Sequence, residues 1–196
     1  MRAVVIASST GGPQALNTII TALPGDFPAP ILIVQHLPRP FIASLAERLN
    51  ARSELEVGLA KPDRVARAGQ VLIAGGAYHI AIEQDEDRKV VVRRDGSPPR
   101  ESCRPSADVL FESAAEHFGP HVLGVVLTGM GRDGCDGSGA IRAAGGAVIA
   151  QDQDTSVIWG MPGAVVEAGY ANLTLPLKQI ASTLVQWTRN PVSRWT

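Results

Sequence analysis

Val4-Val5-Ile6-Ala7-Ser8-Ser9-Thr10-Gly11-Gly12-Pro13 is the stretch that decides the fold. The apolar residues predict a buried strand over 3–7, and the hydroxyl residues and two glycines after it predict a tight turn. The spacing that follows predicts a helix over 14–23. A strand, a tight turn and a helix in succession lift the side chain at the turn out of the sheet and aim the free N–H groups of the helix start at it. Ser9 is therefore a candidate nucleophile, with two alternatives left open: a serine that caps the helix, or a loop that binds an anion.

The same order of strand and helix recurs along the chain. Near-continuous apolar runs are typical of parallel strands covered on both faces, and the intervening spacing is helical. We therefore predict an α/β fold with a doubly wound, mostly parallel, Rossmann-like sheet, helices on both faces and one antiparallel hairpin around an acidic turn. Further strands are predicted at 31–34, 55–59, 71–74, 122–127 and 147–150, helices at 41–49, 105–117, 135–144, 164–168 and 176–187, and the hairpin at 78–82 with 90–94.

Length and composition limit the classes of protein. The chain has 196 residues, of which 45% are apolar, and this suits one domain, predicted as a catalytic domain over 1–190 with a short C-terminal tail over 191–196. A net charge of −1 gives no electrostatic case for a nucleic-acid partner. No apolar run reaches the roughly 20 residues that cross a bilayer, and the first residues lead directly into a strand. We expect a cytoplasmic protein without membrane insertion.

The two cysteines, Cys103 and Cys135, lie far apart and match no zinc or redox spacing. We interpret them as ordinary thiols in a reducing compartment. The four histidines, at 36, 79, 117 and 121, show no spacing typical of metal ligands, so no metal and no organic cofactor is predicted.

Polar side chains follow three of the predicted strands: Ser9, His36 and Asp133. In open parallel sheets, ligands bind outside the carboxyl ends of the strands. A serine hydroxyl is a weak nucleophile near neutral pH and needs a base to take its proton. Imidazole can take this proton and return it. A carboxylate bonded to the other ring nitrogen fixes the tautomer of the imidazole. The three residues are a candidate catalytic triad. Taken singly, His36 also fits a loop histidine bonded to backbone, and Asp133 also fits a helix cap.

A competing motif occupies the loop that contains Asp133. Residues 129–134 read Gly-Met-Gly-Arg-Asp-Gly between a strand and a helix, and Asp152 follows about 20 positions later, as in the dinucleotide-binding fingerprint. Against this interpretation, Asp133 places a negative charge where pyrophosphate would bind, and Ser9 and His36 are left without a role. Nucleotide binding stays open as an alternative.

A small basic cluster lies on the predicted hairpin and just after it. It consists of Lys89, Arg93, Arg94 and Arg100. Such a cluster is typical of a solvated face, and the alternative is a docking patch for an acidic partner.

Five segments together carry a resemblance to a known family, and they extend over most of the chain. They are Val5-Ile6-Ala7-Ser8-Ser9-Thr10-Gly11-Gly12-Pro13, Val34-Gln35-His36, Arg104-Pro105-Ser106-Ala107-Asp108-Val109-Leu110-Phe111, Leu127-Thr128-Gly129-Met130-Gly131-Arg132-Asp133-Gly134, and Gln151 with Gly160-Met161-Pro162. The chain resembles the catalytic domain of the CheB family, the protein-glutamate methylesterases of bacterial chemotaxis. The resemblance implies that Ser9 is the nucleophile, His36 the general base and Asp133 the carboxylate that orients it. Thr10, Gly11 and Met130 match the substrate-binding or oxyanion positions.

The resemblance also implies a reaction and partners. It implies a serine hydrolase that demethylates glutamate methyl esters and deamidates glutamines on the cytoplasmic domain of chemoreceptors, for chemotaxis adaptation. Many members carry an N-terminal receiver domain, so a receiver domain or response regulator in trans is a further candidate partner. The chain departs from the family at three places: at Ala7-Ser8, where Gly-Ala is usual, at Leu37, where a methionine is usual, and at Cys103, where a histidine is usual. A different class, a non-catalytic receptor- or nucleotide-binding α/β module, is the alternative.

Overall fold

The computed structural model describes residues 2–87 and 89–190. The strands are β1 (Ala3–Ser8), β2 (Ile31–Gln35), β3 (Glu56–Ala60), β4 (Val65–Ala66), β5 (Gln70–Ala74), β6 (His79–Gln84), β7 (Val90–Asp95), β8 (Val122–Val126), β9 (Ala147–Gln151) and β10 (Leu173–Leu175). The helices are α1 (Gly12–Ile20), α2 (Arg39–Asn50), α3 (Ala107–Phe118), α4 (Cys135–Ala143), α5 (Met161–Glu167) and α6 (Leu177–Arg189), with a short 3₁₀ turn at Gly119–His121.

Seven of the strands form one parallel sheet in the order β10-β9-β8-β1-β2-β5-β3. Strand β1 is buried along its whole length and pairs with β2 on one side and β8 on the other, so that Ala7 lies opposite both Val34 and Val126. The chain first adds strands on the β2 side of β1 and later adds strands on the β8 side. The direction of winding therefore changes at β1, where open α/β sheets form their ligand crevice.

Both faces of the sheet are covered, which explains why its central strands are apolar at nearly every position. One apolar core packs α1, α2 and α6 against one face. The other core packs α3, α4, α5 and a small antiparallel sheet against the opposite face. The predicted fold class is confirmed.

The small sheet has the order β4-β7-β6. Its strands β6 and β7 are the predicted antiparallel hairpin, paired from His79 opposite Asp95 to Gln84 opposite Val90. Strand β4 was not predicted, because its two residues are too few to show an alternating pattern. Strand β10 was missed for the same reason, since it has three residues.

The ends of several elements differ from the prediction by a few residues. Helix α1 begins at Gly12 and ends at Ile20, because Gly11 before it has a left-handed φ of 83° and the last predicted residues form a separate turn. Helix α5 begins at Met161, earlier than predicted, with Pro162 in its first turn, where a missing N–H costs nothing.

Three of the four side chains of the basic cluster have acidic partners within the fold. Arg94 stacks over the ring of Tyr78, 5.1 Å from its centroid. The other three side chains form ion pairs: Lys89 with Asp87, Arg93 with Glu83 and Asp63, and Arg100 with Glu112. These contacts favour a solvated face over a docking patch for an acidic partner.

Within 2–87 and 89–190, the helices are all too short or too polar to reach across a bilayer. The predicted tail over 191–196 lies outside the described residues, and the domain boundary at 190 stays a prediction.

Candidate active site

The three candidate triad residues lie at one edge of the sheet, because β1, β2 and β8 are parallel neighbours. Ser9 follows β1, His36 follows β2, and Asp133 lies in the loop between β8 and α4. Backbone hydrogen bonds continue beyond the strands: His36 N donates to Ser8 O at 2.9 Å, and Ser9 N donates to Thr128 O at 3.0 Å. The ends of the three strands therefore stay together.

His36 and Asp133 contact each other directly. His36 Nε2 lies 2.8 Å from Asp133 Oδ2, and Asp133 is only 3% exposed. A carboxylate accepts hydrogen bonds, so Nε2 carries the proton and the lone pair of the ring lies on Nδ1. The ring is thus held in one tautomer with its basic nitrogen free of the carboxylate.

Asp133 also holds the start of helix α3. Its Oδ2 accepts from Ala107 N at 2.7 Å, and its Oδ1 accepts from Asp108 N at 3.1 Å and from Ser106 Oγ at 2.6 Å. Asp133 is therefore a helix cap, as one alternative proposed, but for α3 rather than for the helix that follows it, and it bonds His36 as well. Ser106 stands at the N-cap position of α3, but its hydroxyl donates to Asp133 and makes no cap bond.

These contacts set the charge of two neighbouring carboxyl groups. Burial would raise the pKa of Asp133, but the hydrogen bonds from His36, Ser106 and the two backbone N–H groups outweigh it and hold the pKa below its ordinary value. Asp108 has the opposite outcome. Burial, assisted by the charge of Asp133, raises the pKa of Asp108 to about 6 although Gly137 N donates to it.

Ser9 is held by Gln35 at the end of β2 and by the segment that follows β8. Gln35 Nε2 donates to Ser9 O at 2.9 Å, and Gln35 Oε1 accepts from Ser8 Oγ at 2.6 Å. A Cβ on Gly129 would stand 2.7 Å from Ser9 Cβ, so only glycine allows this approach. Over residues 2–87 and 89–190, Ser9 Oγ has no hydrogen-bond partner, so the structure brings Ser9 to the His36 edge without joining the two side chains.

Two of the predicted oxyanion positions, Thr10 and Gly11, directly follow Ser9, and the third, Met130, follows Gly129, whose added Cβ would stand 2.7 Å from Ser9 Cβ. In the part of the chain that the structure describes, the backbone N–H groups of Thr10, Gly11 and Met130 donate to no protein acceptor. Thr10 is exposed, and Met130 is 76% exposed at the rim of the site. These N–H groups are therefore available to a developing oxyanion.

Two supporting residues near the site were not predicted. Gln35 orients the Ser9 backbone, and Asp108 Oδ1 accepts from Gly134 N at 3.0 Å and Gly137 N at 2.7 Å, which holds the loop of Asp133 onto α3. Both residues fall within the family motifs, but nothing in their type or spacing indicated these contacts.

Cys103 was predicted to be an ordinary thiol, yet its Sγ lies 4.0 Å from His36 Nδ1. A tight turn places it there: Cys103 N donates to Arg100 O at 2.7 Å, and the two residues between them, Glu101 and Ser102, have φ values of 49° and 64°. No glycine in this stretch indicates such a turn. The only sequence signal was the departure from the family's usual histidine.

The geometry disfavours the dinucleotide alternative. The acidic residue inside the glycine loop, Asp133, is buried and already accepts from His36 and α3. Asp152, the second acidic residue of that motif, accepts from Thr155 N at 3.0 Å in a local turn.

Comparison with known proteins identifies the family. A family model described as CheB methylesterase matches residues 4–184. The chain belongs to the CheB methylesterase family. A solved structure of this family, the CheB methylesterase catalytic domain of Thermotoga maritima, superposes with a TM-score of 0.92 at 43% identity, covering 94% of this chain and 97% of that chain.

Curated relatives of the family are longer than this chain. A protein of Trichodesmium erythraeum named protein-glutamate methylesterase/protein-glutamine glutaminase is 48% identical over 183 residues, which are 93% of this chain and 52% of that protein. A protein of Caulobacter vibrioides with the same activities in its name is 46% identical over 190 residues, or 97% of this chain and 55% of that protein. The chain thus spans about half the length of these relatives.

Proposed function

We propose that this chain is a protein-glutamate methylesterase and protein-glutamine glutaminase that acts on the cytoplasmic domain of chemoreceptors and serves chemotaxis adaptation. We further propose that Ser9, His36 and Asp133 perform the reaction. The observation that carries the proposal is the 2.8 Å contact of His36 Nε2 with a buried Asp133, which leaves Nδ1 as the free base at the edge where Ser9 lies. The names of the relatives support glutamate methyl esters and glutamine amides as the substrates.

The first half of the reaction forms an acyl-enzyme. Ser9 Oγ transfers its proton to His36 Nδ1 and attacks the carbonyl carbon of the glutamyl methyl ester. Asp133 stays ionised, because its pKa is lowered, and it stabilises the imidazolium. The tetrahedral intermediate then collapses, and the methoxide leaves as methanol with the proton from His36. For a glutamine substrate, the leaving group is ammonia.

Water completes the cycle. His36 Nδ1 takes a proton from a water molecule, the resulting hydroxide attacks the acyl carbon, and Ser9 Oγ leaves with the proton that His36 returns. The product is a glutamate side chain. In both halves, the free N–H groups at Thr10, Gly11 and Met130 donate to the oxyanion, and losing one such donor typically costs about 3 kcal/mol of transition-state stabilisation.

The surroundings suit a side chain presented by a large partner. An open cleft of about 350 Å³, lined in part by Met130 and Asp133, lies beside the candidate triad. Val157, whose side chain packs at Gly11, and Ile158, whose carbonyl accepts from Gly129 N, are exposed apolar residues next to Ser9. An apolar rim around an open cleft can contact the surface of a helical substrate while one side chain reaches Ser9.

The proposed function is tested by release of labelled methanol from membranes that carry methylated chemoreceptors. Ser9→Ala should lower the rate by about 10⁴-fold or more while the free energy of unfolding stays unchanged. Ser182→Ala, on the exposed face of α6, is the matched control and should keep the rate. Release by the Ser9→Ala variant at the wild-type rate would overturn the assignment of the nucleophile, and no release by the folded wild type would overturn the activity on that receptor.

A further inference from the structure

Cys103 and His36 present two metal-ligating atoms to each other. Cys103 Sγ lies 4.0 Å from His36 Nδ1, and the ligating atoms of Cys103, His36 and Asp133 all lie within 4.8 Å of one another. In tetrahedral zinc sites, with bonds of about 2.3 Å to sulfur and about 2.0 Å to nitrogen, the two ligand atoms stand roughly 3.5 Å apart. A shift of about half an ångström would therefore let one cation bind both atoms.

The other side of the histidine ring is arranged as in metal sites. A metal-binding histidine usually donates its second N–H to a carboxylate, which fixes the tautomer and makes the free nitrogen more basic. His36 Nε2 has this partner in Asp133 at 2.8 Å. Asp133 also accepts from Ser106, Ala107 and Asp108, so its role here is the supporting carboxylate and not a ligand.

We propose that His36 Nδ1 and Cys103 Sγ form a binding site for a thiophilic divalent cation such as Zn²⁺, and that its occupation inhibits the enzyme. Thiolate together with imidazole selects zinc-like cations over Mg²⁺ or Ca²⁺. The thiol releases its proton to solvent on binding, sulfur and nitrogen each give a lone pair to the cation, and water fills the remaining positions.

The charges and the access around Cys103 favour a cation. Burial and the carboxylates of Asp133, Glu101 and Asp108 raise the pKa of the Cys103 thiol. The same negative charges attract a divalent cation, which offsets the cost of ionising the thiol. Cys103 and Asp133 line the open cleft of about 350 Å³, so a hydrated ion can reach them. The one cationic side chain that lines this cleft, Arg132, pairs with Asp136 at 3.0 Å.

The cation inhibits ester hydrolysis because it binds the lone pair on Nδ1 of His36. In the proposed reaction, Nδ1 of His36 takes the proton of Ser9, and a cation on Nδ1 removes that base. The inhibition thus rests on the proposed function, whereas the binding of the cation does not.

Binding is tested with Co²⁺ on the intact, chelator-treated protein. A thiolate bound to Co²⁺ gives a sulfur-to-metal charge-transfer band in the near ultraviolet, which we expect at one equivalent for the wild type. Cys103→Ser and Cys103→Ala should each lose the band. Cys135→Ser should keep it, because Cys135 is buried and its Sγ donates to Ala164 O. No band in the wild type, or a band that persists in both Cys103 variants, would overturn the site.

Inhibition is tested by Zn²⁺ titration of ester hydrolysis, each variant being compared with its own rate in chelator. Wild type and Cys135→Ser should lose most of their rate and recover it on chelation, and Cys103→Ser should need at least tenfold more Zn²⁺. Equal sensitivity of Cys103→Ser and wild type would overturn the inhibition. If the wild type hydrolyses no ester, the proposed function fails, and the Co²⁺ band still decides whether the site exists.

Discussion

Ser106 donates its hydroxyl to Oδ1 of Asp133 at 2.6 Å, although it stands at the position where a serine usually caps its own helix. The cap of α3 comes instead from the carboxylate of Asp133, a residue that lies 27 positions later in the chain. The start of α3 and the orientation of His36 therefore depend on the same two oxygen atoms.

Ser106→Ala should reduce activity without abolishing it. The substitution removes one donor to a buried carboxylate, which costs about 1–2 kcal/mol of unfolding free energy, and we expect kcat to fall about tenfold with little change in KM. Urea unfolding and steady-state hydrolysis measure the two effects. Ser182→Ala is the control on an exposed helix face. An unchanged kcat would contradict a role of Ser106 in holding Asp133.

Asp133→Asn should reduce both activity and stability. Four donors point at this carboxylate, and an amide places an N–H group against some of them, so we expect a loss of about 2–4 kcal/mol of unfolding free energy and about 10⁴-fold in kcat. Because the pKa of Asp133 is lowered in the folded state, its stabilisation is present above the unfolded pKa of about 4 and is lost as the pH falls through the folded value.

The matched control for Asp133→Asn is Asp136→Asn, three residues away and exposed. It should change unfolding free energy by less than about 1 kcal/mol, because exposed ion pairs contribute little. Stability measured by urea unfolding at several pH values should show the difference between wild type and Asp133→Asn shrinking below pH 4. A constant difference would contradict the lowered pKa.

Asp108→Asn should stabilise the protein near neutral pH. The pKa of Asp108 is raised from 3.8 to about 6, so between these values the folded state binds a proton that the unfolded state does not, and wild-type stability falls as the pH rises. Asparagine is always neutral and keeps an oxygen for Gly134 N and Gly137 N. Urea unfolding should show a gain at pH 7.5 relative to pH 4.5 of up to about 3 kcal/mol. Equal effects at both pH values would argue against the raised pKa.

Gly129→Ala should impair catalysis through crowding. The added Cβ would stand 2.7 Å from Ser9 Cβ and would also press on Met161 Sδ, so Ser9 must shift. We expect a loss of about 1–3 kcal/mol in unfolding free energy and at least a tenfold fall in kcat. Gly96→Ala is the control, because nothing lies within 4 Å of its Cβ. A kcat equal to that of the control variant would contradict the tight placement of Ser9.

The sequence was sufficient to predict the elements that have a strong pattern of apolar residues. Strands β1, β2 and β8 are apolar at almost every position and were predicted within about a residue, and their parallel arrangement placed Ser9, His36 and Asp133 at one edge. The order of the seven strands was not predictable, because it depends on which apolar faces pack together across long connections.

The contacts within the candidate site depend on segments far apart in the chain, and this is why sequence patterns missed them. Three of the donors to Asp133 lie 25 to 27 positions before it, and the fourth, His36, lies 97 positions before it. The position of Cys103 depends on a turn whose two positive φ values fall on Glu101 and Ser102, where nothing in the sequence indicates them. A serine before a helix predicts a cap by type alone, whereas the hydroxyl of Ser106 bonds a carboxylate from another segment.

The capping of α3 by Asp133 has a practical consequence for binding experiments with the proposed receptor substrate. An inactive variant reports substrate binding correctly only if its surface is that of the native protein. Asp133→Asn would weaken the hydrogen bonds to the start of α3 as well as the bond to His36. The surface of this variant would therefore differ from that of the native protein. Ser9→Ala removes a hydroxyl with no bond to the described residues, so an inactive variant for binding the proposed receptor substrate is better made at this position.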